Sequence, residues 1–303
     1  MNRIPSALSS GDVITLVAPS RFTNQDQIQA VTAILEGEGF RVEVPEGLLE
    51  REGQFGGEDA HRARIIQEAW NRKGNGALLP MRGGYGAARL LNHVDLSNAS
   101  KWMCGFSDIT ALHSLLSVNG VASLHSPVGS TLINAPDETQ SSFFAQLRGE
   151  QPALFSATSA IKEGRSEGEL VGGNLSVLFS LQGTPFFPDL NGKILFLEDI
   201  DEMVYHLDRM LVNFSLSKVF SGLKGVVLGQ FSDMRDNTKE FGFSADNPFG
   251  KSVYEICSEH FKNLGIPVCL GFASGHDAPN LSLPFGQPMK LEVTEFATTL
   301  SFA

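Results

Sequence analysis

The sequence predicts an α/β chain of two domains. An N-terminal doubly wound (Rossmann-like) parallel sheet is expected over residues 1–136, and a C-terminal mainly β domain with helices over 169–303, joined by a connection over 137–168. Three observations predict it. Across the first half, short apolar runs alternate with amphipathic helical patterns, as strands and helices do around a parallel sheet. At 303 residues the chain is long for one core, because domains usually run ~100–200 residues. Between Asp137 and Glu169 the periodicity dissolves into Ser, Gly and small polar residues, which reads as a connection.

The elements follow in order. DVITLVAPS is a buried strand with a turn, and QIQAVTAILEGEGF a helix whose Ile28, Val31, Ile34 and Leu35 share one face until glycine stops it. FRVEVPE alternates as a short strand. DAHRARIIQEAWNRKGNG repeats the helix-then-glycine pattern, and GALLPMRGGYG is a strand running into a glycine turn. KWMCGF is a further strand, with a helix starting at DITAL. Beyond the connection, ELVGGNLSVLFSLQGTPF suggests a glycine turn and a short helix, GKILFLEDI a strand, DEMVYHLDRMLVNF a helix and GVVLGQF a strand. The stretch from IPVCLGF to the end reads as strands and turns.

Composition narrows the function. Acidic residues number 34 against 23 basic ones, for a formal net charge of -11, and no Lys/Arg run stands out. Nucleic acid and anionic membranes are therefore not the expected partners. The N-terminal apolar run is too short for a signal peptide and nothing approaches a membrane span, so a cytoplasmic location is expected. The three cysteines, Cys104, Cys257 and Cys269, form no CxxC pair and read as buried thiols.

Four stretches carry candidate chemistry. In CGFSDITALH, Ser107 lies where a strand meets a helix. That turn exposes a nucleophile's hydroxyl while the helix start offers backbone N–H groups to an oxyanion. The hydrolase motif G-x-S-x-G is only half matched, since Ile109 replaces its second glycine. Spacing alone favours the plainer reading, Ser107 or Asp108 as a helix cap. RGGYGAARLL, from Arg82 to Leu91, lacks both the dinucleotide pattern, with Arg89 where glycine is needed, and the P-loop Lys-Ser/Thr. Its glycines could bring backbone N–H groups to an oxyanion or simply make a turn.

In LEDIDEMVYHLDRML the acidic cluster suits a helix start. Glu198, at the end of the strand Ile194–Leu197, could instead orient an imidazole. No histidine there has metal-ligand spacing, so no metal is assigned. In GFASGHDAPNLSLPFG, His276 sits among turn residues and is suited to acid–base work. Among the other histidines, only His125 in LHSPV stands apart from a structural or solvated reading.

Six blocks, FGGEDAHRARIIQEAW, RGGYGAARLL, GFSDITALH, LVGGNLSVLFSLQGTP, FLEDIDEMVYHLDRML and GFASGHDAPNLSLPFG, occur in this order. Together they resemble the LD-carboxypeptidases of serine peptidase family S66, from about Val13 to the C-terminal strands. The resemblance implies an N-terminal domain holding the nucleophile Ser107, and a mainly β domain supplying Glu198 and the base His276. It places the site in a cleft between them. Backbone N–H groups of Asp108 and Gly84 would receive the oxyanion. The implied reaction releases terminal D-alanine from murein tetrapeptide in cytoplasmic cell-wall recycling, by a homodimer and without a cofactor. Arg82 and Tyr85 are the candidates for substrate binding, Arg82 for the free terminal carboxylate.

Two departures bear on the substrate. Ser126 and Val128 stand where the pattern expects glycine and methionine. Relatives conferring microcin C self-immunity hydrolyse peptide-nucleotide analogues and stack the base on an aromatic residue; between Ala153 and Gly172 this chain has no Trp or Tyr, though Phe155 is present. The competing readings are such an immunity hydrolase, a non-catalytic peptide- or nucleotide-binding module, and a nucleotide-dependent enzyme using RGGYG.

Overall fold

The computed structural model describes residues 2–98 and 101–303. In chain order the first elements are β1 (Val13–Val17), α1 (Gln25–Gly37), β2 (Arg41–Glu43), α2 (Asp59–Asn71), β3 (Gly76–Pro80), β4 (Trp102–Gly105), α3 (Thr110–Val118), β5 (Ser123–His125), α4 (Gly129–Leu132) and α5 (Asp137–Leu147). Then come β6 (Leu154–Ala157), β7 (Ser159–Lys162), β8 (Gly164–Asn174), α6 (Leu175–Ser180), β9 (Lys193–Ile200), α7 (Val204–Leu216), β10 (Gly225–Ser232), α8 (Val253–Phe261), β11 (Val268–Leu270), β12 (Leu283–Phe285), β13 (Pro288–Thr294) and β14 (Ala297–Phe302). The protein is thus mixed α/β, with a parallel-sheet N-terminal part and a sheet-rich C-terminal part. Among the described residues, no helix is long and apolar enough to cross a membrane.

Two compact units form. The first comprises Met1–Pro152, Leu181–Pro188 and Ala278–Gln287; the second comprises the remaining three segments. In the first, the sheet order is β12-β5-β4-β3-β1-β2. β1 to β5 run parallel, and β12 pairs antiparallel to β5 through Leu283 and His125. All five residues of β3 and four of the five in β1 are buried, which is why both read as unbroken apolar runs rather than alternating ones. Helix α1 starts where the Asn24 side chain accepts a hydrogen bond from the Gln27 N–H at 2.9 Å. It buries Ile28, Val31 and Leu35 in a core shared with Ile14, Leu16, Leu79 and Phe143. The strand order reverses between β1 and β3, and in open parallel sheets ligands bind outside the carboxyl ends at such a point.

The second unit holds an eight-stranded sheet ordered β6-β14-β13-β8-β9-β10-β11-β7. Its two edge strands, β6 and β7, are separated by Thr158 alone. A flat sheet of eight strands at ~4.8 Å spacing could not bring its edges within one residue, so this sheet rolls up on itself like a barrel. Thr158 continues the β6–β14 ladder between the two edges: its N–H donates to Phe296 O at 3.0 Å, and its hydroxyl meets that of Thr298 at 2.8 Å.

Three expectations need correction. The segment 137–168 is not an irregular connection: it contains α5, β6, β7 and the start of β8, and the units divide after Pro152. Its polar residues sit on exposed positions of strands such as β7 and β8, where one face meets solvent. Gly172 and Gly173 are not a turn but the end of β8. They are small because a Cβ at Gly172, with φ 139°, would run into the Phe196 carbonyl of neighbouring β9. The stretch 278–287, expected in the second domain, returns to the first sheet as β12, whose three buried residues pair with a sheet edge that sequence proximity does not reveal.

Candidate active site

In the first unit, β4 ends at Gly105, Phe106 is extended, and a short 3-10 turn over Ser107–Ile109 leads into α3. Ser107 has φ 61°, a left-handed backbone that costs a side-chain-bearing residue about 1–2 kcal/mol. Several contacts hold it there. Gly105, at φ 122°, lets Ile109 approach to 2.9 Å of where a Cβ would stand. Its N–H donates to Ser126 Oγ at 3.0 Å, and its carbonyl accepts from the Ser126 N–H at 3.0 Å and from His113 Nε2 at 2.8 Å. Burial lowers the pKa of His113 to about 4. Its ring is therefore neutral, with Nδ1 accepting from Ser123 Oγ at 2.8 Å. Ser126, a departure from the family pattern, is thus part of what secures the turn.

The helix-cap alternative does not hold. The 3-10 turn follows Phe106 and α3 follows Ile109, neither with a side-chain cap. The Asp108 carboxylate, 2% exposed, is engaged elsewhere: its Oδ2 accepts from Ser20 Oγ at 2.5 Å and from the Ala87 N–H at 2.8 Å. The buried Arg62 guanidinium grips the residues next to these, donating to Pro19 O and to Gly86 O at 3.1 Å, and also pairs with Asp59. Burial raises the Asp108 pKa against the two hydrogen bonds and the Arg62 charge, and lowers that of Arg62 against Asp59. Arg62 and Asp108 therefore clamp the β1 loop and the RGGYG loop onto the serine turn.

Gly83 lies against the hydroxyl, where a Cβ would stand 3.3 Å from Ser107 Oγ. Gly84, the residue singled out from sequence, has φ 109° and faces Arg21, whose Nε is 2.6 Å from its would-be Cβ. Arg82 is half-buried. Tyr85 is exposed, its ring tilted 5.9 Å from that of Phe55.

In the second unit, Glu198 is fully buried on β9 and its Oε2 accepts from His276 Nδ1 at 2.7 Å. Burial favours neutral His276, but the Glu198 hydrogen bond and charge, with Asp199 and Asp277 adding, raise its pKa overall. Asp199, which pattern reading assigned to helix-start acidity, is also buried. It accepts from Asn174 Nδ2 at 2.8 Å and from the N–H groups of Ser176 and Ile200 at 2.9 Å. Burial and then the Glu198 charge push its pKa to about 7, against those bonds. The register pairs Asn174 with Glu198, so Asp199 ties the carboxylate-bearing strand to its neighbour's end. Among the described residues no group of three or more His, Cys, Asp or Glu could hold a metal ion, and the three cysteines are buried.

Sequence reasoning missed Arg62, Asp199 and Gly83. A charged residue within an apolar helical face marks Arg62, and a second carboxylate on a strand otherwise apolar marks Asp199.

The comparisons with known proteins match this two-part organisation. Residues 14–126 match the family model for the LD-carboxypeptidase N-terminal domain, and residues 167–291 that for the C-terminal domain. A Bacillus subtilis (strain 168) protein named "Probable murein peptide carboxypeptidase" is 30% identical over 97% of this chain and 93% of its own. The murein tetrapeptide carboxypeptidase of Pseudomonas aeruginosa is 30% identical over 92% of each. The crystal structure of muramoyltetrapeptide carboxypeptidase from Oxalobacter formigenes superposes with TM-score 0.85 at 28% identity, covering 95% of this chain and 97% of that one. The microcin C7 self-immunity protein MccF, in complex with aspartyl sulfamoyl adenosine, shares the fold at TM-score 0.85 and 20% identity, over 99% and 98% of the chains. A chain matched in both halves by peptidase domains is a peptidase. It belongs to the LD-carboxypeptidase family, peptidase family S66.

Proposed function

We propose that this peptidase is a serine carboxypeptidase that releases the terminal D-alanine of murein tetrapeptide, with Ser107, His276 and Glu198 as its catalytic triad. The observation that carries the proposal is the buried Glu198–His276 pair at 2.7 Å. A carboxylate held on Nδ1 fixes the tautomer in which Nε2 takes a proton. In the reaction, His276 Nε2 accepts the Ser107 proton while Oγ attacks the amide carbonyl. The oxyanion is received by the Asp108 N–H and one from the glycine pair Gly83-Gly84. The imidazolium, stabilised by Glu198, protonates the leaving D-alanine nitrogen, and water then hydrolyses the acyl-enzyme. Arg82 and Tyr85 bind substrate. We place the enzyme in the cytoplasm as a homodimer, in murein recycling and with no cofactor.

The MccF likeness favours a second reading, hydrolysis of an aminoacyl-nucleotide analogue. The test is mass-spectrometric detection of D-alanine released from L-Ala-D-Glu-meso-diaminopimelate-D-Ala by the wild type and by Ser107→Ala, beside an aspartyl-adenylate analogue. Release abolished by the substitution supports the first reading. Turnover of the nucleotide analogue alone moves the triad to the second, and turnover of neither contradicts both readings.

A further inference from the structure

Ten arginines lie in the first unit. Eight of them donate hydrogen bonds or form ion pairs within that unit. The other two, Arg21 and Arg82, do neither among the described residues. Both follow the strands that flank the reversal of strand order: Arg21 comes four residues after β1 and Arg82 two after β3. Outside the carboxyl ends of those strands is where an open parallel sheet binds its ligand. In a chain of net charge -11, two guanidiniums without acidic partners on the loops that follow these neighbouring strands make a local exception to the prevailing charge.

The position of Arg21 relative to the serine follows from the adjacent glycines. The Arg21 side chain packs where a Cβ of Gly84 would stand, and the Ser107 side chain packs where a Cβ of Gly83 would stand. Consecutive Cα atoms are ~3.8 Å apart, which puts Arg21 Nε within about 13 Å of Ser107 Oγ, a span of up to about four extended residues. A non-glycine side chain at 84 would have to push the exposed Arg21 side chain aside.

We infer that Arg21 acts with Arg82 as a two-guanidinium subsite for carboxylates of an acidic peptide substrate, Arg21 being a specificity-determining residue. This rests on the murein-peptide reading. A murein tetrapeptide carries carboxylates at its C-terminus, on the diaminopimelate side chain and on D-glutamate, and planar guanidiniums recognise such groups through paired N–H donors.

The experiment measures kcat and KM for wild type, Arg21→Ala and Arg21→Lys. The substrates are the tetrapeptide and three versions of it, each with one of those carboxylates amidated, and binding of the tetrapeptide to Ser107→Ala with and without Arg21→Ala is measured by calorimetry. Arg21→Ala is expected to raise KM about ten- to a hundredfold, as removal of a charge-assisted contact made in both ground and transition states should, with partial rescue by lysine. The penalty should vanish on the one amidated substrate whose carboxylate Arg21 binds, which identifies the group. An Arg21→Ala penalty below twofold, or one equal on every substrate, overturns the inference and leaves the peptidase reading intact. A wild type that neither cleaves nor binds the tetrapeptide overturns both.

Discussion

Burial pulls His276 toward its neutral form while the Glu198 carboxylate pulls it toward the imidazolium, and the carboxylate wins, placing the histidine above its ordinary 6.5. A general base must be neutral to act. Activity should therefore be full above that raised value and be lost as pH falls through it, so the acid limb of kcat/KM is expected above pH 6.5. Glu198→Gln removes the raising charge and leaves the burial, so the limb should move to lower pH as kcat drops about 10³–10⁴-fold. A pH profile of the variant whose limb stays in place contradicts Glu198 as the controlling charge. Ser107 yields a second expectation. Glycine adopts φ 61° without the left-handed penalty of about 1–2 kcal/mol, less the ~0.5–1 kcal/mol of extra unfolded-state entropy it brings. Ser107→Gly should thus raise stability in urea unfolding by about 0.5–1 kcal/mol while abolishing hydrolysis, whereas Ser107→Ala abolishes hydrolysis without that gain. A Ser107→Gly chain no more stable than wild type argues against stored strain at the turn.

At the scale of elements, the clamp formed by Arg62 on α2 and Asp108 before α3 joins two loops that pattern reading treats as independent. Arg62 is buried and serves the Pro19 and Gly86 carbonyls while pairing with Asp59, and leaving such buried partners unsatisfied costs about 1–3 kcal/mol. Arg62→Ala is expected to lose about that much in chemical unfolding, and Asp108→Asn less, because an amide oxygen can still accept from Ser20 and Ala87. Equal losses would deny the Arg62 charge its part. The same scale explains what was legible in the sequence. β1, α1, β3 and β9 announce themselves because each buries a continuous run or a single helical face, and the serine turn shows because glycine and a helix start bracket it. α8 went unread, although Ser252 and Glu255 form a capping box at its start. Illegible were features set by contacts distant in sequence. The glycines of β8 answer to the backbone of β9 and β12 returns to a sheet begun far upstream, while Arg62, marked by its place on an apolar helical face, shows its role only through its carbonyl partners.

For the whole molecule, the proposed nucleophile belongs to one compact unit and the proposed base and its carboxylate to the other, so the triad requires both halves of the chain to act as one catalyst. That requirement has a kinetic signature. Residues that work in a single step are non-additive: once the nucleophile is gone, a base positioned to serve it has nothing left to do. Ser107→Ala and His276→Ala should each lower kcat by about 10³-fold or more, toward the residual rate that oxyanion stabilisation and binding alone sustain. The double variant should be no slower than the slower single one. Steady-state rates on the tetrapeptide for the two single variants and the double decide it. If the two losses multiply, Ser107 and His276 contribute independently, and the hydroxyl of the first unit is not served by the imidazole of the second.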